Sequence, residues 1–125
     1  MTTETSRSGD AGPSAGVAGF VPVVRVSELA PGTMRWVVVE RERVLLANVD
    51  GSFHAILDLC GHRRESLSKG TLSGHVVECP LHFACFDVRT GKFLNGPASA
   101  DVPVREVRVE DGTVYIKTWT AEDSR

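Results

Sequence analysis

Val44-Leu45-Leu46-Ala47-Asn48-Val49-Asp50-Gly51-Ser52-Phe53-His54-Ala55-Ile56-Leu57 reads as one β-hairpin. An apolar run from Val44 to Val49 meets Asp50-Gly51, and a second run from Phe53 to Leu57 follows. A type I′ turn needs two successive residues that tolerate positive φ, and an Asp-Gly pair between apolar runs is the strongest short signal for it.

Moving outward, the same pattern returns near the C-terminus. Val104 to Val109 alternates imperfectly, Asp111-Gly112 makes a turn, and Thr113 to Thr118 leads back. On the N-terminal side, Pro22 to Val26 and Arg35 to Glu40 are β-branched runs. Between the hairpins lie His75 to Glu78, Phe86 to Val88, a turn at Thr90-Gly91, and Lys92 to Leu94. No stretch has a helical period; Val26 to Ala30 has room for a single turn before Pro31-Gly32 ends it. Short strands separated by turn signals predict an all-β sandwich or barrel.

The chain has 125 residues, enough for one domain. Residues 1–19 are rich in Thr, Ser, Gly and Ala, with one isolated Val and no aromatic residue. Such a stretch cannot bury enough apolar surface to offset its chain entropy, so a disordered N-terminal tail is expected over 1–19. One domain over 20–119 and a short C-terminal tail over 120–125 complete the expected organisation. The net charge of -2 lacks the basic footprint of a nucleic-acid binder. No apolar run reaches the roughly eighteen residues that span a bilayer. The N-terminus shows no basic region followed by an apolar one, so a cytoplasmic location is expected, without membrane or nucleic-acid partners. Three cysteines in a reducing compartment point to metal or redox chemistry, not a disulfide framework.

Two connections interrupt the strands: a long one from Cys60 to Gly74 and a shorter one from Cys79 to Cys85. They carry Cys60-Gly61-His62, sixteen intervening residues, and Cys79-Pro80-Leu81-His82. Each half supplies one soft thiolate and one imidazole. Two sulfurs and two nitrogens suit either a tetrahedral zinc site or an iron–sulfur cluster with mixed ligation.

The neighbouring residues carry a resemblance. Leu67-Ser68-Lys69-Gly70-Thr71-Leu72 follows the first box, and Phe86-Asp87, Thr90-Gly91-Lys92 and Gly96-Pro97-Ala98 follow the second. With the two boxes, this segment resembles the Rieske [2Fe–2S] domain, and in particular the ferredoxin components of bacterial ring-hydroxylating dioxygenases. The resemblance covers roughly residues 21 to 118. It implies stacked antiparallel sheets with a small cluster-binding subdomain. It implies that Cys60 and Cys79 ligate a buried iron, and that His62 and His82 ligate an outer one. A third loop at Gly96-Pro97 would cover the cluster. The implied role is an electron carrier between an NAD(P)H-dependent flavin-dependent ferredoxin reductase and a terminal oxygenase with its own Rieske centre. It is not the catalytic subunit, which needs a mononuclear iron held by two His and a carboxylate on a further domain.

Departures from the respiratory Rieske proteins speak to potential. Those proteins have a hydroxyl residue two positions after the second histidine and a tyrosine four after it; here Ala84 and Phe86 stand there. Their loop-joining disulfide would need cysteines where this chain has Glu65 and Leu81. Fewer donors to the sulfurs predict a potential near the low end of the Rieske range of about −150 to +300 mV.

Other residues admit two readings. Phe83, where many relatives have Gly, is either a partner contact or packing. Cys85 reads as a small buried hydrophobe in a strand, with an oxidation-sensitive thiol as the other reading. Arg63, Arg64 and Lys69 form a solvated charged loop or steer an acidic partner. His54 and His75 read as strand residues, not ligands. Asp58 reads as structural, orienting the first ligand loop through backbone hydrogen bonds. Two further functions stay open: a small Rieske-like subunit of an assimilatory nitrite reductase, and a zinc-bound structural module.

Overall fold

The computed structural model describes residues 19–59, 66–80, 83–96 and 100–118. The expected tails fall outside the described residues, Gly19 apart. Eleven strands make three antiparallel sheets. The strands are β1 (Phe20–Arg25), β2 (Met34–Val39), β3 (Glu42–Val49), β4 (Ser52–Leu57), β5 (Thr71–Ser73) and β6 (Val76–Glu78). They continue as β7 (Cys85–Asp87), β8 (Phe93–Asn95), β9 (Val104–Arg105), β10 (Val107–Glu110) and β11 (Thr113–Lys117). The first sheet has the order β1-β11-β10, the second β2-β3-β4-β9, and the third β5-β6-β7-β8. This is the all-β, stacked-sheet architecture that the strand signals and the resemblance predict.

The hairpin at Val44 to Leu57 forms as read. Val49 pairs with Ser52, and Asp50 and Gly51 have φ of 52° and 93°. Asp111 and Gly112, at 50° and 77°, do the same between β10 and β11. A third tight turn, at Glu40-Arg41 with φ of 51° and 72°, joins β2 to β3 without any glycine. Its sequence carries no turn signal; the pairing of Val39 with Glu42 imposes it.

The second sheet lies between two cores because β3 is buried on both faces. Val44 and Leu46 join Val24, Val39, Ala55, Val114 and Ile116 against the first sheet. Leu45 and Ala47 join Ile56, Leu67, Val77, Cys79 and Phe86 against the third. Successive side chains of a strand point to opposite faces, so a continuous apolar run suits a middle layer.

Two expectations are corrected. The connection from Cys60 to Gly74 is not free of regular structure: a 3₁₀ turn at Leu67–Lys69 plants Leu67 in the core, and β5 follows. The run from Val104 to Val109 is not one strand. It breaks at Glu106, so β9 pairs with β4 in the second sheet and β10 with β11 in the first. The single turn expected near Val26 is a 3₁₀ turn over Val26–Glu28.

Candidate metal centre

Of the four candidate ligands, Cys79 is described. Cys60, His62 and His82 lie outside the described residues, as do Arg63, Arg64, Glu65, Leu81 and Pro97. Cys79 follows β6 directly and is fully buried in the core between the second and third sheets. Its amide donates to the Ala84 carbonyl at 2.7 Å, and its carbonyl accepts from the Phe83 amide at 2.9 Å. These two bonds bring Phe83 and Ala84 back to Cys79 before β7 begins.

The 3₁₀ turn at Leu67–Lys69 leads into Gly70, which packs against the end of β6. Gly70 is packed so closely on it that a Cβ there would fall on the Glu78 carbonyl oxygen and lie 3.1 Å from Pro80 Cδ. On the other side, a Cβ on Gly96 would lie 2.6 Å from the Ala84 Cα. Gly96 has φ of 117°, which a side chain rarely adopts, so the position demands glycine on two counts. Gly70 thus packs on Glu78 and Pro80, the residues either side of Cys79, and Gly96 packs on Phe83 and Ala84, whose backbones bond to Cys79.

The base of the first box is tied by Asp58, which is fully buried. Its carboxylate accepts from the Ser66 hydroxyl, from the Ser68 amide at 2.7 Å and from the Ser68 hydroxyl at 2.9 Å. The Arg43 guanidinium stands 3.5 Å away and stacks over the Trp36 ring at 4.2 Å. The Asp58 amide donates to the Arg43 carbonyl at 3.0 Å. Sequence reasoning anticipated only backbone bonds from Asp58 and missed Arg43, Ser66 and Ser68. The available signal was the pair of serines, Ser66-x-Ser68, placed where the chain returns from the box.

The remaining candidates separate. Phe83 is 65% exposed at φ 61°, so it does not pack. Cys85 lies in β7, half-buried, with its sulfur 3.7 Å from the Phe83 carbonyl. Burial, with a smaller contribution from Glu78, pushes its thiol pKa up, which suppresses the reactive thiolate. Lys69 is exposed. His75 Nε2 lies 3.9 Å from Asp87, whose carboxylate takes two side-chain bonds from Arg89 at 2.9 and 3.1 Å. His54 belongs to β4; burial, then the Arg89 charge, lowers its pKa, and Asp87 opposes them. Ala84 and Phe86 are buried beside Cys79 in the same core and offer no side-chain donor.

The buried Cys79 thiol, with Gly70 and Gly96 packed close on its neighbours, suits an iron–sulfur group. The family model for the Rieske [2Fe–2S] domain matches residues 19–114. The biphenyl dioxygenase ferredoxin subunit of Pseudomonas sp. (strain KKS102) is 40% identical over 98 residues, covering 78% of this chain and 90% of that protein. A chain in a solved complex of reduced oxygenase and oxidised ferredoxin in carbazole 1,9a-dioxygenase has a TM-score of 0.75 at 38% identity, over 79% of this chain and 93% of that one. The terminal oxygenase of carbazole 1,9a-dioxygenase from Novosphingobium sp. KA1 matches with a TM-score of 0.74 at 30% identity, but only 30% of its length is covered. Among the described residues, no helix is long and apolar enough to cross a membrane.

Proposed function

The chain belongs to the Rieske [2Fe–2S] family as a ferredoxin, an electron carrier and not a catalytic oxygenase subunit, and from that premise we propose its circuit and its ligands. It takes single electrons from an NAD(P)H-dependent flavin reductase and passes them to the terminal oxygenase of a ring-hydroxylating dioxygenase system. Cys60 and Cys79 hold the inner iron; His62 and His82 hold the outer one. The carrier is one domain over residues 20–119 and works in the cytoplasm. The observation that carries this reading is the meeting of Gly70, Glu78–Pro80 and Gly96 about the loop that starts at the buried Cys79.

Held by Cys60, His62, Cys79 and His82, a [2Fe–2S] cluster would supply one reversible electron. The protein supplies a fixed frame: β6 and β7 set the Cys79 end, and Asp58 sets the base of the first box. A frame that changes little between oxidation states keeps the cost of transfer low. Ala84 and Phe86 withhold the hydroxyls that would stabilise the added negative charge, so the potential lies near the low end of the family range. That suits acceptance from a flavin fed by NAD(P)H.

The test is electron paramagnetic resonance of the dithionite-reduced protein, with iron, sulfide and zinc analysis on the same sample. A rhombic signal with average g below that of all-cysteine clusters establishes His/Cys ligation, and changing His82 to Cys abolishes it. A silent spectrum with zinc and no sulfide overturns the reading. Reconstituted with a flavin-dependent ferredoxin reductase and a ring-hydroxylating terminal oxygenase, substrate-dependent NAD(P)H oxidation should require this chain.

A further inference from the structure

We infer that β2 is a docking edge for a second copy of this chain, the two β2 strands pairing antiparallel so that their middle sheets join into one. The inference stands on the described strands and does not depend on the metal. Among the described residues the three sheets have six edge strands: β1 and β10, β2 and β9, β5 and β8. An open edge presents unpaired N–H and C=O groups, and proteins blunt such edges with proline, bulges, charges or shortness. Five of the six are blunted. β1 carries Pro22 and a register break beside it. β5, β8 and β9 have only three, three and two residues. β10 carries Arg108 and Glu110. β2 instead has six residues in unbroken register with β3, from Met34 opposite Ala47 to Val39 opposite Glu42, and Arg35 is its one charge.

This edge is apolar as well as open. Trp36 and Val38 are 48% and 56% exposed. They stand on one face of β2, because successive side chains alternate. Arg43 of β3 stacks over the Trp36 ring, so the ring is held in place without a partner. An open groove runs along the strand, lined by Pro22 and Val23 of β1, by Met34 to Val38 and by Ser68.

The strand is self-complementary in one register. Val39 and Glu42 close the two-residue turn at Glu40-Arg41. The backbone groups of Val39, Val37 and Arg35 therefore turn toward β3, and those of Met34, Trp36 and Val38 turn outward. A twofold axis at Val37 sets Trp36 of each copy opposite Val38 of the other. Both residues direct their backbone outward, so each pair exchanges two hydrogen bonds while the apolar side chains meet on one face. The same register keeps the two copies of Arg35 four strand positions apart, about 13 Å, beyond the screening length of about 8–10 Å. An axis at Trp36 would halve that separation, and one at Arg35 would set the two charges face to face. A strand from another protein would have to match this pattern; a second copy already carries it.

The experiment uses the full chain with its metal bound. Sedimentation velocity across a range of concentrations, and amide exchange at low and high concentration, compare wild type with Val38→Lys and Val38→Pro. Val38→Lys sets a charge against Trp36 of the other copy. Val38→Pro removes one outward N–H and spares the β2–β3 ladder. Wild type should show a reversible monomer–dimer equilibrium. Exchange at Trp36 and Val38 should slow as concentration rises, while Val37, already bonded to β3, stays unchanged. Both variants should weaken the dimer at least about tenfold, with circular dichroism melting as the check on folding. If Val38→Pro fails to fold, Val38→Lys, at an exposed side chain, decides alone. A wild type that stays monomeric overturns the inference. So does a dimer that Val38→Lys leaves within about twofold of wild type. Protection of Trp36 and Val38 that arises only on adding a terminal oxygenase would give the edge to a different protein, and would overturn it as well.

Discussion

Gly70 and Glu78 stand so close that the carbonyl oxygen of Glu78 occupies the place where a Cβ of residue 70 would go. Glycine is required there by packing, because the Glu78 backbone leaves no room for a side chain. This contact is the seam between the 3₁₀ turn at Leu67–Lys69 and the end of β6.

Gly70→Ala should therefore cost about 2 kcal/mol, the typical penalty for overpacking against backbone that cannot yield. At ordinary urea slopes that lowers the midpoint by about 1 M. The check is urea unfolding of wild type and variant side by side; an unchanged midpoint would show that the seam is soft.

Phe83 is the opposite case, a large exposed ring on a left-handed backbone. That conformation costs a non-glycine residue about 1–2 kcal/mol, against a chain-entropy cost of about 0.5–1 kcal/mol for glycine. Phe83→Gly should gain up to about 1 kcal/mol and raise the melting temperature by about 4 °C. A lowered melting temperature would mean that the ring packs after all. Because stability does not explain Phe83, transfer to the oxygenase is the second quantity to compare in this variant.

The pH dependence has a definite sign. His54 has its folded pKa lowered below the ordinary 6.5 by burial and by Arg89. The unfolded chain then binds more protons, so stability is full above the unfolded value and falls as pH drops below 6.5. His54→Gln should flatten the decline in unfolding midpoint between pH 7 and about pH 5.5. An identical slope in both proteins would remove His54 as its source.

Asp87 acts lower on the scale. Its hydrogen bonds from Arg89 outweigh burial and hold its carboxyl below the usual 3.8. The stability it brings is present above that value and is lost as pH falls through the folded pKa. Arg89→Ala should weaken the protein at pH 7 while leaving it nearly unchanged once Asp87 is protonated. Unfolding midpoints at pH 7 and in strong acid measure this; an equal loss at both would assign Arg89 a packing role.

Ala84 and Phe86 bear on potential. Ala84→Ser and Phe86→Tyr each introduce a hydroxyl into the core that holds Cys79. If the potential is set low by missing donors, each variant should shift it upward, with protein-film voltammetry as the readout. No shift in either would place the cause elsewhere.

The Asp-Gly turns were legible in the sequence for a local reason. Asp50-Gly51 and Asp111-Gly112 act through the sterics of two adjacent residues, and the same sterics operate in the folded chain. By residue type the two Cys/His boxes suit either zinc or an iron–sulfur cluster, and the residues around them carry the family resemblance. By itself, then, the sequence determined strands, turns, family and the candidate ligand set. The tertiary structure decided what depends on distant partners. Leu45 and Leu46 are neighbours of like hydropathy, yet they serve separate cores, because a sheet covers each face of β3. Val104 to Val109 divides between two sheets because β4 and β11 claim its halves. The burial of Asp58 likewise depends on Ser66, Ser68 and Arg43, brought to its carboxylate from elsewhere in the chain, since a buried charge needs donors around it.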